Sequence, residues 1–166
     1  MDRLSISSPL SPVMTEEDFS PDYVALRAAN DLIRERGKVW VFETLSRLCL
    51  EQGHELTLGR QDWRFEVGRS VMVGERVGIR YRGSTLTIEV GWPRTPADGF
   101  VPDQGLARGR ISLSTSPILS AKPVEELILR SNAGHGALWY SIRNGRLGEE
   151  LTERRLREHL LTVIKS

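Results

Sequence analysis

The sequence predicts an α+β fold: an antiparallel meander sheet of about six to seven strands, with N-terminal helices and a C-terminal helix packed on one face. Three observations lead to this prediction: an alternating hairpin pattern over residues 76–92, closely spaced strand patterns over residues 54–92, and helical patterns at both ends of the chain. Parallel neighbours need a crossover connection of about a dozen residues or more. The closely spaced strands are therefore expected to be antiparallel.

The clearest element is the hairpin in Arg76–Trp92, RVGIRYRGSTLTIEVGW. Apolar residues alternate with polar residues or glycine on both sides of Gly83-Ser84, and such alternation sends one set of side chains to each face of a sheet. A two-residue loop at Gly83-Ser84 predicts three apolar cross-strand pairs, Tyr81–Leu86, Ile79–Ile88 and Val77–Val90. A slip of one residue would set apolar against polar side chains, so the pattern is expected to determine the register.

A helical pattern begins at Ser20-Pro21-Asp22. The serine hydroxyl suits the cap, proline suits the first helical position, and an acid meets the positive end of the helix dipole. This helix is predicted to end at Gly37 and a second one to cover residues 39–52. One long helix over residues 20–52 stays open, because an internal glycine costs only about 1 kcal/mol. The buried stripe of the first helix is predicted to be Leu26, Ala29, Leu32 and Ile33.

The remaining elements are predicted from the spacing of apolar residues and from the positions of glycine and proline between them. Strands are predicted before the hairpin at residues 55–58, 63–67 and 71–73, with a turn at 59–61, and after it at residues 110–114, 126–130 and 137–142. The longest irregular stretch is Pro93–Gly109, and structureless segments longer than about 12–15 residues are often functional. Thr152 is predicted to cap the last helix, which buries Leu156, Leu160, Val163 and Ile164.

Composition bounds the class of protein. The 166 residues favour one domain over residues 19–166, preceded by a disordered or loosely docked arm at residues 1–18. The net charge of +1 gives no overall field that would attract nucleic acid or a membrane. We find no secretory signal pattern and no apolar run of about 18 residues, so no membrane association and a cytoplasmic location are expected.

The positions of the histidines and the cysteine in the sequence do not indicate a metal site or a nucleophilic catalyst. His54, His135 and His159 fall on three different elements, and no His or Cys pair has the spacing of metal ligands. Cys49, the single cysteine, lies on an apolar helical face, where burial is expected to raise the thiol pKa. The sequence therefore predicts no metal and no cofactor.

Paired carboxylates are the remaining catalytic pattern. Glu66 and Glu89, with Asp62 nearby, resemble the acids of a metal-dependent nuclease sheet, but no lysine follows Glu89 at the expected place. Cross-strand pairing of acids with arginine explains the same pattern. We predict no catalytic residue. Whether the protein is an enzyme stays open, but the lack of a catalytic pattern favours a protein that is not an enzyme.

The leading hypothesis is a non-enzymatic cytoplasmic interaction or accessory domain. All but three of the 23 basic residues are arginine, whose planar fork suits carboxylates and phosphates. A protein partner would bind through an arginine-bearing sheet face and the 93–109 loop. The candidate binding residues are Arg64, Arg80, Arg82, Glu89, Arg94, Phe100, Arg108 and His135.

Two alternatives stay open. One is a small-molecule-binding protein or enzyme, with a pocket between sheet and helices on which His135, Arg94, Asp98, Asp103 and Arg108 converge. The other is anion or nucleic-acid binding through the arginine face. Nucleic acid is disfavoured, because the aromatic residues are expected on the apolar face and not among the arginines as stacking platforms. A homodimer through an exposed sheet edge also stays open.

Overall fold

The computed structural model describes residues 20–53, 55–132 and 136–166, so the predicted arm at residues 1–18 lies outside the described residues. Two 3₁₀ turns, Pro96–Asp98 and Pro102–Gln104, lie in the connection between the third and fourth strands. The helices and strands, in chain order, are α1 (Pro21–Glu51), β1 (Thr57–Val67), β2 (Ser70–Tyr81), β3 (Ser84–Trp92), β4 (Ala107–Ser114), β5 (Lys122–Asn132), β6 (Gly136–Arg143), β7 (Arg146–Glu150) and α2 (Glu153–Lys165).

The strands form one sheet whose spatial order follows the chain from β1 to β7, and every neighbouring pair is antiparallel. The predicted α+β meander with a helix at each end is confirmed. The predicted turn at residues 59–61 and the separate short strand at 71–73 are wrong, because β1 and β2 run unbroken through Gly59 and Gly74. Neither glycine has a positive φ, and a glycine marks a turn only where the chain uses that freedom.

The central hairpin turns at Arg82-Gly83, one residue earlier than predicted. Arg82 takes a left-handed φ of 55°, and Tyr81 lies opposite Ser84, so that Ile79 faces Leu86 and Val77 faces Ile88. The predicted pairs are therefore displaced by two residues. Because a two-residue shift keeps every side chain on its own face, the apolar pattern determined the face but not the pairing.

The helix α1 is continuous over 31 residues, so the predicted stop at Gly37 is wrong. Its start is as predicted, with Pro21 in the first turn and the Ser20 hydroxyl accepting from the amide of Tyr23 at 3.3 Å. Gly37 faces the sheet, where a Cβ would lie 2.9 Å from Leu129 Cδ2. The indole of Trp139 donates to the Gly37 carbonyl at 3.0 Å. The glycine therefore serves the close approach of helix and sheet.

The two helices cover one face of the sheet and form the main core. Thr152 caps α2 as predicted, accepting from the amide of Arg155 at 3.3 Å. The core joins both helices to four central strands through Val41, Leu45, Leu48, Leu156, Leu160, Val163, Val77, Ile79, Ile88, Ile111, Leu127 and Leu129, all of them buried. The predicted stripe of α2 is confirmed, with Ile164 partly buried against this core.

The other face of the sheet carries a smaller apolar cluster. Phe65 pairs with Met72 on the face away from the helices, and both are buried together with Ile128 and Ile142. The sheet coils over this face, since Arg110 of β4 donates to the carbonyl of Glu66 at the end of β1 at 3.4 Å. The prediction that the β1 aromatics join the helix-covered face is wrong, because pairing along an unbroken β1 sends them to the opposite side.

The coiling passes through Gly74, which lies opposite Gly91 in β3. A Cβ on Gly74 would sit 1.9 Å from the Val90 carbonyl oxygen, whereas a Cβ on Gly78, on the same face of β2, would meet nothing within 4 Å. Main-chain atoms cannot rotate away as a side chain can. The crowding at Gly74 is therefore a constraint on the backbone itself.

We expect Gly74→Ala to lower the free energy of unfolding by about 1–3 kcal/mol, because two strands must separate to admit the methyl group. Gly78→Ala is the matched control and should change it by no more than about 0.5 kcal/mol. Urea unfolding of both variants measures the difference. Equal effects would show that Gly74 is not where the sheet is constrained.

Candidate functional site

The sheet face away from the helices carries a ladder of alternating charge that crosses four strands. Cross-strand pairing aligns Arg76, Glu89, Arg110 and Glu126 in that order. Arg110 Nε donates to Glu126 Oε1 at 2.7 Å, and its Nη1 lies 3.6 Å from Glu89 Oε2. Trp63 Nε1 donates to Glu89 Oε1 at 2.9 Å. Glu89, a predicted binding residue, is therefore already held by two neighbours within the chain.

The predicted arginine face is divided between different places. Arg80 is exposed on the face of the ladder, and Arg82 lies in the hairpin turn. Arg64 pairs in register with Val73, which shares the face of Val77 and Ile79 under the helices. The structure thus does not bring Arg64 to the face of Arg80, because β1 continues without the turn that the sequence suggested.

A polar groove of about 440 Å³ lies on the ladder face beside Arg80. Arg76 also lines this groove, on the other side of Gly78 from Arg80. The Arg76 guanidinium stacks 3.6 Å from the centroid of the Trp63 ring. Gly59 and Gly78 form the floor without a Cβ, and the hydroxyls of Thr85 and Thr87 line one side. Among the described residues, Arg80 makes no ion pair or side-chain hydrogen bond. We call this the arginine groove.

A charged cleft of about 690 Å³ lies between α1 and the middle of β1 and β2. In this cleft Glu75 accepts from Arg60 at 2.8 and 2.9 Å. Lys38 Nζ lies 2.5 Å from Glu75 Oε2, the oxygen that also accepts from Arg60 Nη2. The Arg60 hydrogen bonds, with Lys38, lower the Glu75 pKa to about 2. The charged lining residues are Glu35, Lys38, Asp62, Arg64, Glu75 and Arg94.

This cleft is poorly suited to general base catalysis. A carboxylate with a pKa near 2 has little tendency to take a proton at neutral pH, and its charge is already balanced by Lys38 and Arg60. The network instead ties the edge strand β1 to α1. Sequence reasoning missed Lys38, although a single lysine before residue 122 in a chain so rich in arginine was a usable signal.

Four of the residues predicted to converge on a pocket, Arg94, Asp98, Asp103 and Arg108, support the 93–106 connection instead. Arg94 stacks 3.8 Å from the Trp92 ring centroid and donates to the Val73 carbonyl at 3.0 Å. The Asp98 carboxylate accepts from the amides of Arg94 and Thr95 at 2.9 and 3.0 Å, and these bonds lower the Asp98 pKa.

Arg108 shows the same behaviour from within β4. It is buried, donates to the Leu127 carbonyl at 3.1 Å and pairs with Asp103 at 3.2 Å. The sequence had placed Arg108 in the irregular stretch, but β4 already begins at Ala107. His135, the last member of the predicted group, lies outside the described residues.

An apolar groove of about 330 Å³ separates the N-terminal half of α1 from the 93–101 connection. The side chains of Phe100, Leu26 and Tyr23 line it and are 86%, 60% and 46% exposed. Arg27 donates to the Arg94 carbonyl at 2.6 Å and so ties the connection to the helix beside the groove. We call this surface the loop groove.

The loop groove lies along the part of α1 that precedes its buried residues, which begin at Lys38. Leu26 and Leu32 were predicted to be buried, and the structure leaves both exposed. Arg34 donates to the Leu106 carbonyl at 2.6 Å, so the connection supports this half of the helix from one side only. Of the predicted site residues, Arg94 and Phe100 meet here.

Residues 20–53, 55–132 and 136–166 contain neither a metal centre nor a membrane-spanning helix. No group of three or more His, Cys, Asp or Glu side chains in them is arranged to hold a metal ion. No helix in these ranges is long and apolar enough to cross a membrane. Cys49 is half-buried and its burial raises the thiol pKa, as predicted.

Comparison with protein-family models, with curated proteins and with solved structures gave no significant match. Function is therefore inferred from the geometry of this chain alone.

The depressed pKa of Glu75 gives an expected pH dependence. Because the folded pKa of about 2 lies below the ordinary value of 4.5, the ionised carboxylate stabilises the fold above pH 4.5, and this contribution is lost as the pH falls towards 2. Glu75→Gln should therefore be less stable than the natural chain at pH 7 and lose less stability on acidification.

Unfolding free energies measured from pH 7 to pH 2 test this expectation. Glu158→Gln, which removes an exposed partner of Arg154, is the control and should follow the natural chain. If the Glu75→Gln and natural curves run parallel over the whole range, the carboxylate is not held as described.

Proposed function

We propose that this chain is a non-enzymatic interaction domain that binds a protein partner through the loop groove. One observation carries the proposal: three large apolar side chains, Phe100, Leu26 and Tyr23, surround a single groove and remain exposed. Scattered apolar residues on a surface need no explanation, but a contiguous exposed patch with a polar rim is typical of an interaction site.

The groove is also held in shape before any partner arrives. Arg27 and Arg34 bind main-chain carbonyls of the connection, and Asp98 binds its amides. A surface that is already ordered loses little conformational entropy on binding. Burying one large apolar side chain contributes about 1.5–3 kcal/mol, so Phe100 and Leu26 together supply a useful part of a binding energy.

The charge around the groove indicates the chemistry of the partner. Its lining includes Arg27, Arg34 and Arg94 and no acidic residue. Arg34 is paired with Asp31 beside the groove at 2.9 Å, so Arg27 and Arg94 carry the charge that a partner would meet. Apolar side chains would fill the groove while carboxylates on the partner approach the guanidinium groups at its rim. The expected ligand is thus an apolar segment with acidic flanks.

We expect Phe100→Ser and Leu26→Ser each to weaken partner binding tenfold or more, a loss of about 1.4 kcal/mol. Ile118→Ser is the matched control, since Ile118 is 92% exposed and is not among the residues that line the groove. Quantitative affinity capture from cells that make the protein compares the three variants. Equal capture by all variants, or turnover in a hydrolase screen with no partner found, would contradict the proposal.

A second candidate function, anion binding, is supported by the arginine groove. Arg80 is exposed there without a carboxylate partner among the described residues, and glycine leaves the floor open to a ligand. A phosphate or carboxylate ligand would accept from Arg80 and from the threonine hydroxyls. Such binding should weaken steeply as salt is added.

Calorimetric titration with pyrophosphate at low salt tests this second candidate. Arg80→Glu should abolish binding, and Gly78→Val should weaken it tenfold by filling the floor without changing a charge. Arg154→Glu, at a side chain that is 85% exposed on α2, is the control. Anion binding in the arginine groove is contradicted if no heat of binding is measured at low salt, or if Arg154→Glu loses pyrophosphate binding as fully as Arg80→Glu does.

A further inference from the structure

The helix α1 is apolar on two opposite sides. Val41, Leu45 and Leu48 face the sheet and are buried. Half a turn away around the helix, Leu32, Val39, Trp40 and Leu50 are 53%, 38%, 40% and 84% exposed. A helix that is apolar all round is normally buried on all sides, and the described residues leave this second side uncovered.

We define the outer face of α1 by the exposed side chains opposite Val41, Leu45 and Leu48: Ala29, Leu32, Arg36, Val39, Trp40, Glu43, Arg47 and Leu50. Two of them, Arg36 and Trp40, also line a cleft of about 430 Å³ between α1 and β6. At about 100° per residue, they form one stripe opposite the buried one. The loop groove lies elsewhere on the helix, beside Leu26 and Tyr23. The outer face is thus a separate surface.

Arg36 and Glu43 are exposed at the middle of the outer face. Among the described residues, neither makes an ion pair or side-chain hydrogen bond. Seven residues of helix separate them by about 10.5 Å, which is too far for an ion pair within one chain. An antiparallel second copy would place each of them opposite the other.

The apolar residues fit the same alignment. Setting Arg36 against Glu43 of a second copy places Val39 against Trp40, Leu50 against the small Ala29, and Leu32 against the aliphatic stem of Arg47. Each contact occurs twice about a two-fold axis, as a symmetric dimer requires. The alignment runs from Ala29 to Leu50, about 32 Å of helix.

We infer that this chain forms a homodimer in which the outer faces of two α1 helices pack antiparallel, with Val39 and Trp40 at the two-fold axis and reciprocal Arg36–Glu43 ion pairs on either side. The apolar contacts supply the affinity, and the ion pairs set the direction and register. The inference does not depend on the loop groove having a partner.

Charge exchange tests the dimer directly. Arg36→Glu sets two carboxylates together, Glu43→Arg sets two guanidinium groups together, and each should weaken dimerisation at least tenfold. The double variant, Arg36→Glu with Glu43→Arg, restores opposite charges and should return the dimer Kd to within threefold of the natural value. Arg154→Glu serves as the control and should have no effect. Sedimentation velocity of the full chain from 1 to 100 µM gives the Kd. The ionic strength is kept at about 0.1 M or below, where the Debye length is about 10 Å or more and the ion pairs are least screened.

Arg36 and Glu43 are exposed and make no ion pair or side-chain hydrogen bond among the described residues, so the exchanges are expected to leave the fold intact. Weakening by both single variants without recovery in the double variant overturns the alignment. Weakening by both single variants with recovery in the double variant supports the alignment. A monomer at every concentration overturns the inference and leaves another segment or another protein as the occupant of the outer face. A dimer that none of the variants changes also overturns it, since another surface then holds the copies together.

Discussion

The close contact between α1 and the sheet at Gly37 determines where the other surfaces lie. With no side chain at this position, Leu129 packs against the helix backbone and Trp139 donates to a helical carbonyl. The helix continues through the glycine, so its C-terminal half covers the sheet while its N-terminal half extends past it. That extension needs support from elsewhere, and the 93–106 connection provides it on one side.

The arginine content is largely used within the protein itself. Arg27, Arg34, Arg94 and Arg108 all donate to main-chain carbonyls of distant segments. A guanidinium group has five donors in a fixed plane, and it can therefore hold an irregular connection that has no regular hydrogen-bonding partner. Arg80 differs from them, which is why it and not the arginine content as a whole suggests an anion site.

The two proposed protein surfaces lie on different sides of the same helix. A dimer joined at the outer faces would leave both loop grooves accessible, because Leu26 and Phe100 take no part in that contact. Two grooves on one rigid dimer would bind a divalent partner far more tightly than one groove. Self-association and partner binding are thus compatible in one molecule.

The alternation of the central hairpin and the caps at Ser20 and Thr152 were predictable, because alternation and capping depend on neighbours in the chain. The buried start of β4 at Ala107 and Arg108 was not, because it shows no alternation of apolar and polar residues. The sequence could not decide whether Gly37 ends the helix, since its role depends on Leu129 and Trp139, roughly a hundred residues away.

By itself, the sequence determined that this is an antiparallel α+β meander, that Ile79 and Ile88 belong to its core, and that Phe100 lies in its irregular connection. Only the tertiary structure decided the hairpin register, the face to which Arg64 and Trp63 point, and the pairing of Glu89 with Arg110. The physical reason is that period-two alternation specifies a side but not a partner. Partners in this protein are set by where the backbone turns and by how far one long helix reaches.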